Sequence, residues 1–175
     1  MAHPEILNAA NFGVPQDRRR LFLIGNRADC PPAFHPIPTT RPVRAVRSSL
    51  NEYAGDLPSG PSVSDALENI PDLDDYDALL ESDQVRLDAR TAKRLHSPRS
   101  LYAQRLVGSM DDEQDFSYQR HSDFRWLTSS MRTVHTEKSR ERFLKTEPGT
   151  VESISRFLRL PPDGLSNTLR AGTGG

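Results

Sequence analysis

At 175 residues the chain is long enough for one domain with a modest core, and a net charge of −1 with a single cysteine, Cys30, excludes a uniformly basic binder, an internal disulfide framework and a cysteine-built metal cluster. Fourteen prolines, ten glycines and a hydrophobic share of 35% predict a loop-rich chain. No run approaches the roughly 18 apolar residues of a membrane span, and the start lacks a charged leader before an apolar stretch, so the expectation is a soluble, cytoplasmic protein without membrane contact.

Taken in chain order, Glu5-Ile6-Leu7-Asn8-Ala9 and Leu21-Phe22-Leu23-Ile24-Gly25 are short apolar runs, the second predicted as a buried strand. Between them Asn11-Phe12-Gly13-Val14-Pro15 breaks any helix, which gives strand, loop, strand over residues 1–28. Residues 29–42 hold five prolines and read as an extended connector. Ser62 to Pro71 predicts a short helix capped by Ser62 or Ser64. A helical pattern interrupted by Pro98 covers residues 78–106, with a weaker helix at Leu101, Arg105 and Val107, and residues 108–123 read as polar loop. Phe124-Arg125-Trp126-Leu127 is apolar enough to touch a core; Trp126 with Phe124 could alternatively stack on a base. Thr136 to Thr146 is a further helix, with Phe143 and Leu144 inward and Glu147-Pro148-Gly149 as its stop.

Charge is unevenly spread. Residues 1–50 hold seven arginines against three acids, residues 51–90 two against eleven, and residues 91–175 fourteen Lys/Arg against ten, for +4, −9 and +4. Two basic stretches can give a neutral protein a basic face sufficient for a few phosphates, although an ordinary solvated surface has the same composition. Arg120, Arg125, Arg132, Lys138, Arg140, Arg142 and Lys145 make the densest basic interval and are the candidates for phosphate contact, with Lys138, Arg142 and Lys145 along one side of the helix. The five histidines match no metal-ligand spacing, so no metal is expected. Cys30 has no paired base and reads as an inert thiol. Gly172 to Gly175 lacks the Lys-Ser/Thr of a phosphate loop.

The segment Gly13-Val14-Pro15-Gln16-Asp17-Arg18-Arg19-Arg20 ahead of an apolar strand is the most informative. Arginine at the start of a buried strand offers a planar charged fork for a base carbonyl or a phosphate, and Gln16 adds a donor and an acceptor. With its flanks, from Leu7-Asn8-Ala9 to Gly25, it closely resembles the Gln-x-Arg-x-Arg block of the DNA cytosine-C5 methyltransferases. The resemblance implies that Arg20 bonds the O2 edge of a flipped-out cytosine, braced by Arg18 and Gln16. A weaker match, Arg159 to Thr173, resembles the stretch where these enzymes re-enter the catalytic core. What lies between corresponds to the family's variable target-recognition region.

The resemblance covers a C-terminal portion of the family. The Phe-x-Gly-x-Gly donor turn, the Pro-Cys-Gln nucleophile, the Glu-Asn-Val acid and the closing Gly-Asn-x-Val-Pro block are absent from the sequence. It therefore implies an α+β chain: a β-hairpin from the edge of a catalytic domain (residues 1–28), the connector (29–42), an irregular recognition region with short helices (43–160) and a truncated return (161–175). The implied role is target recognition within an enzyme that moves methyl from S-adenosylmethionine to cytosine C5 in duplex DNA. The donor would be bound by a missing N-terminal portion or subunit, and the chain alone would be inactive. A stand-alone DNA-binding specificity module and a truncated, non-functional gene product are the competing readings. An RNA-directed member of the family shares the arginine motif; the long insert points instead to a bacterial DNA enzyme.

Overall fold

The computed structural model describes residues 3–44, 56–111 and 123–168. It is a small mixed α/β chain of short helices and two-stranded sheets, divided into two compact units: residues 1–64 with 160–175, and residues 65–159.

In the first unit, β1 (Glu5–Asn8) pairs antiparallel with β3 (Arg19–Phe22), placing Leu7 opposite Arg20 and Asn8 opposite Arg19. A 3-10 turn over Ala9–Phe12 follows β1, and Gly13 ends it with φ 76°, a left-handed conformation that costs an L side chain about 1 kcal/mol or more. Thr40 fixes this turn from outside: its hydroxyl accepts from Gly13 N at 2.9 Å and donates to the Ala10 carbonyl at 3.1 Å. Thr39 and Thr40 amides also donate to the Asn11 carbonyl, so the end of the proline-rich stretch is bound to the first unit. The short β2 (Gln16–Asp17) pairs in parallel with β6 (Ser166–Asn167), which brings two segments 150 residues apart in register. Leu7, Ala10 and Val63 form the buried apolar centre, beside the buried asparagines Asn8 and Asn11.

The predicted buried strand at Leu21 to Gly25 is corrected. Regular pairing ends at Phe22, and Leu21 is 69% and Leu23 61% exposed. Among the described residues β3 is hydrogen-bonded only to β1, and all four of its residues, Arg19–Phe22, are exposed.

The predicted helix at residues 62–71 is shorter: α1 spans Val63–Ala66. Ser64 lies inside it, and its hydroxyl donates to the Pro162 carbonyl instead of capping. Asn69 stops any continuation by adopting φ 64°. Its side-chain amide donates to the carbonyls of Arg94 and Ser97.

In the second unit, 3-10 turns at Leu73–Asp75 and Asp77–Leu80 precede β4 (Val85–Arg86), α2 (Ala89–Leu95) and α3 (Leu101–Val107). Asp88 caps α2 through the amides of Arg90 and Thr91, Ser100 caps α3 through Ala103 N, and Gly108 closes α3 in the left-handed conformation. Leu79, fully buried, with Leu87, Ala92 and Ala103, forms the core of this unit. β5 (Trp126–Leu127) pairs antiparallel with β4. Phe124 packs on His96 with ring centroids 4.1 Å apart, whereas Trp126 is 43% exposed, contrary to the core position expected for it, because it lies on a two-stranded ribbon with one open face.

The helix predicted from Thr136 is α4 (Glu137–Lys145), capped by the Thr136 hydroxyl on Ser139 N. Phe143 is half-buried against Phe157, but Leu144 is exposed, not inward. Residues 149–159 form a hairpin packed on α4. The Gly149 amide donates to the Arg159 carbonyl and the Arg159 amide to the Thr150 carbonyl, and Val151 bridges Leu158.

Candidate nucleic-acid interface

The Gln16–Arg20 segment is held by one buried side chain. Asn8 donates through Nδ2 to Asp17 Oδ1 at 2.7 Å, while its Oδ1 accepts from Ala10 N at 3.2 Å and Arg18 N at 3.1 Å. A single carboxamide thus ties the end of β1, the 3-10 turn and the arginine segment together. Asn caps helical turns because its short side chain reaches back to main-chain amides two residues on. Sequence reasoning assigned Asn8 no role of its own; an asparagine just before a turn was the available signal.

Gln16, in β2, donates from Nε2 to the Asn167 carbonyl at 3.3 Å. The Pro15 carbonyl accepts from both the amide and the hydroxyl of Ser166, and Thr168 Oγ1 donates to the Asp17 carbonyl. The two stretches singled out in the sequence therefore lie side by side. Arg18 and Arg20 are exposed; Arg20 Nη1 donates to the Arg19 carbonyl at 2.8 Å. The desolvated setting expected for Arg20 is absent among the described residues, for the reason that leaves Leu21 and Leu23 open. A permanently charged guanidinium is thereby presented outward from a fixed strand, free to take a polar edge or a phosphate.

The other basic candidates differ in what already engages them. Arg120 lies outside the described residues. Arg125 makes a two-pronged contact with Asp123, at 2.9 and 2.7 Å, and this hydrogen bonding lowers the Asp123 carboxyl to about 2. Arg132 is largely covered and paired with Asp74 at 2.6 Å and Asp77 at 3.4 Å; Arg140 also contacts Asp74. These residues line a cavity of about 470 Å³ together with His135 and Phe143. Arg142 turns inward, with Nε 3.2 Å from Oε1 of the buried Glu152. Lys145 is exposed beside Glu141 at 3.7 Å, and Lys138 is exposed with no ion-pair partner among the described residues. Lys138 and Lys145 are thus open to solvent, while Arg142 braces the interior.

Glu152 is a second residue that sequence reasoning left without a role. Its Oε2 accepts from the amides of Ile154 and Ser155, and these bonds, the Ser155 amide first, hold its carboxyl below the usual glutamate range.

The Gln16–Arg20 ribbon does not fit S-adenosylmethionine: its exposed Arg18 and Arg20 repel a sulfonium cation, and its open surface offers no enclosed wall for an adenine ring. Among the described residues no group of three or more His, Cys, Asp or Glu could hold a metal, and no helix is long and apolar enough to cross a membrane.

The model of the C-5 cytosine-specific DNA methylase family matches residues 1–158. Among curated proteins, the Type II methyltransferase M.XorII of Xanthomonas oryzae pv. oryzae is 42% identical over 168 residues, covering 96% of this chain and 34% of that protein. The Type II methyltransferase M.AquIA of Picosynechococcus sp. is 39% identical over 66 residues, 38% of this chain and 26% of the relative. The Type II methyltransferase M.MthTI of Methanothermobacter thermautotrophicus is 42% identical over 55 residues, 31% of this chain and 15% of the relative. The chain thus spans about a third of the length of M.XorII. No solved structure matches it.

Proposed function

The chain belongs to the C-5 cytosine-specific DNA methylase family, and from that membership we propose that it supplies target recognition to a Type II methyltransferase acting on duplex DNA. In this reading Arg20 bonds the polar edge of the extruded cytosine, and Arg18 and Gln16 brace the pocket. Arg125, Lys138 and Lys145 contact phosphates from the exposed surface of the second unit; Arg132 and Arg142 hold the elements that carry them. Arg120 belongs to the same set by sequence.

The observation that carries this reading is the parallel pairing of Gln16–Asp17 with Ser166–Asn167, which holds the arginine block beside the segment resembling the family's re-entry into its catalytic domain. The exposed apolar run Leu21 to Leu23, at the end of β3, is the edge along which the rest of a catalytic domain would pack, in the manner of a strand buried in a larger sheet. S-adenosylmethionine, the donor this family uses, and the attacking thiol belong in this reading to that remainder, and the chain alone is inactive. A stand-alone specificity module would have no use for a cytosine-edge arginine.

The test is transfer of labelled methyl to cytosine in duplex DNA by this chain alone, and by this chain mixed with the portion of M.XorII outside the matched third. Transfer only in the mixture, lost in Arg20→Ala, is expected. Transfer by the chain alone, or none in the mixture with both partners soluble, refutes the proposal.

A further inference from the structure

The hairpin at residues 149–159 has a tip built unlike an ordinary surface turn. At its base, the Glu152 amide donates to the Phe157 carbonyl at 2.8 Å and the Arg156 amide to the Glu152 carbonyl at 3.0 Å. Inside the turn, the Glu152 carboxylate accepts the amides of Ile154 and Ser155 and faces Arg142, whose Nη2 also lies 3.4 Å from Ser155 Oγ. Phe143 of α4 packs edge-on against Phe157 at 6.0 Å. The backbone of the tip is therefore fixed from within by a buried acid and an arginine.

What the tip presents is the opposite of what a solvated turn favours. Ile154 is 65% exposed. Arg156 is exposed, has no ion-pair partner among the described residues, and holds φ at 57°, a left-handed conformation that glycine or asparagine would adopt at lower cost. A rigid loop that spends strain to project a free guanidinium beside an uncovered aliphatic side chain has the parts needed to read a base pair: a fork for the two acceptors of guanine, and an apolar contact for a pyrimidine methyl group.

We propose that Arg156 is a specificity-determining residue that donates to a guanine edge in the major groove of the target duplex. The assignment rests on the reading of the second unit as a target-recognition region. Ile154 contacts the neighbouring step, while phosphate contacts elsewhere supply affinity without sequence preference.

The experiment selects bound sequences from a pool of duplexes with a randomised centre, using the 175-residue chain and three variants. Arg156→Gly removes the guanidinium at a φ that glycine adopts without strain. Arg156→Lys keeps the charge without the fork, and Lys138→Ala removes a candidate phosphate contact. The expected result is a sequence preference containing a guanine that Arg156→Gly and Arg156→Lys both relax by roughly 5- to 150-fold at that one position, whereas Lys138→Ala weakens all sequences alike and lowers the salt slope by about 1. A preference unchanged in Arg156→Gly, or a uniform loss with a reduced salt slope, overturns the role of Arg156 and leaves the recognition region standing. A wild-type chain that binds no duplex or selects no sequence overturns both.

Discussion

Replacing Asn8 by alanine tests how the arginine segment is held. Asn8 is 1% exposed and makes three hydrogen bonds, to Asp17 Oδ1 and from the amides of Ala10 and Arg18. Ala10 is as deeply buried, so its amide loses its acceptor with no water to replace it, at about 1–3 kcal/mol. Arg18 is exposed and its amide can turn to solvent, which makes that loss smaller. Adding the vacated carboxamide volume, the first unit should lose about 2–4 kcal/mol. The assay is amide hydrogen exchange resolved by residue, since two compact units need not unfold together. A loss of about 2 kcal/mol raises exchange at Ala10 and Arg18 about 30-fold, with amides around Leu79 unaffected. Asn8→Asp sharpens the test: it keeps the accepting oxygen but sets a carboxylate against Asp17 where the 2.7 Å hydrogen bond was. Protection, taken relative to the intrinsic exchange rate at each pH, should then be low where both carboxyls are ionised and return as pH falls and the like-charged pair takes up a proton that restores the donor. Unchanged protection in Asn8→Ala, or wild-type behaviour of Asn8→Asp at neutral pH, would refute the reasoning.

Leu79→Ala, at a fully buried position, should destabilise the second unit by about 2–5 kcal/mol, read by urea unfolding followed on the fluorescence of the single tryptophan, Trp126. Gly13→Ala meets no close atom, since the nearest side-chain carbon would lie 3.9 Å away, yet forces alanine into φ 76°; a cost of about 1–2 kcal/mol is expected by exchange at Val14 and Gln16. Because Glu152's folded carboxyl lies below its ordinary range, the stability it contributes is full above that range and is lost as pH falls through the lowered value. Protection at Ile154 and Ser155 should fall with acid in the wild type and be weak but pH-independent in Glu152→Gln; equal acid sensitivity in both would remove Glu152 as the cause. The Asp123–Arg125 pair follows the same sign, with loss of the contact only on approach to about pH 2, detectable in the pH titration of the Asp123 carboxyl.

Local chemistry was legible in the sequence where it needed only neighbours. Thr136 before a helical run and Gly149 after it bracket α4 because a hydroxyl can cap an amide within one turn and proline and glycine can end the run. The short apolar run ahead of the arginine block is β1; the chain then forms a 3-10 turn over Ala9–Phe12, which Gly13, part of the helix-breaking stretch expected at Asn11 to Pro15, brings to an end. The block itself was recognisable because its residue types and order are intrinsic to the chain. What pairs with it was not: an apolar run reads as buried, yet burial depends on whether another element covers the strand, and Leu21 and Leu23 show that here none of the described residues does. The direction of long side chains was equally hidden. Lys138 and Arg142 are one helical turn apart and look alike in sequence, but Glu152, ten residues further on, draws Arg142 inward and leaves Lys138 in solvent. By itself the sequence determined residue chemistry, caps and turns, since these act over a few residues; tertiary structure decided which faces are covered and which charges are engaged, because those depend on partners that the chain brings together from far apart.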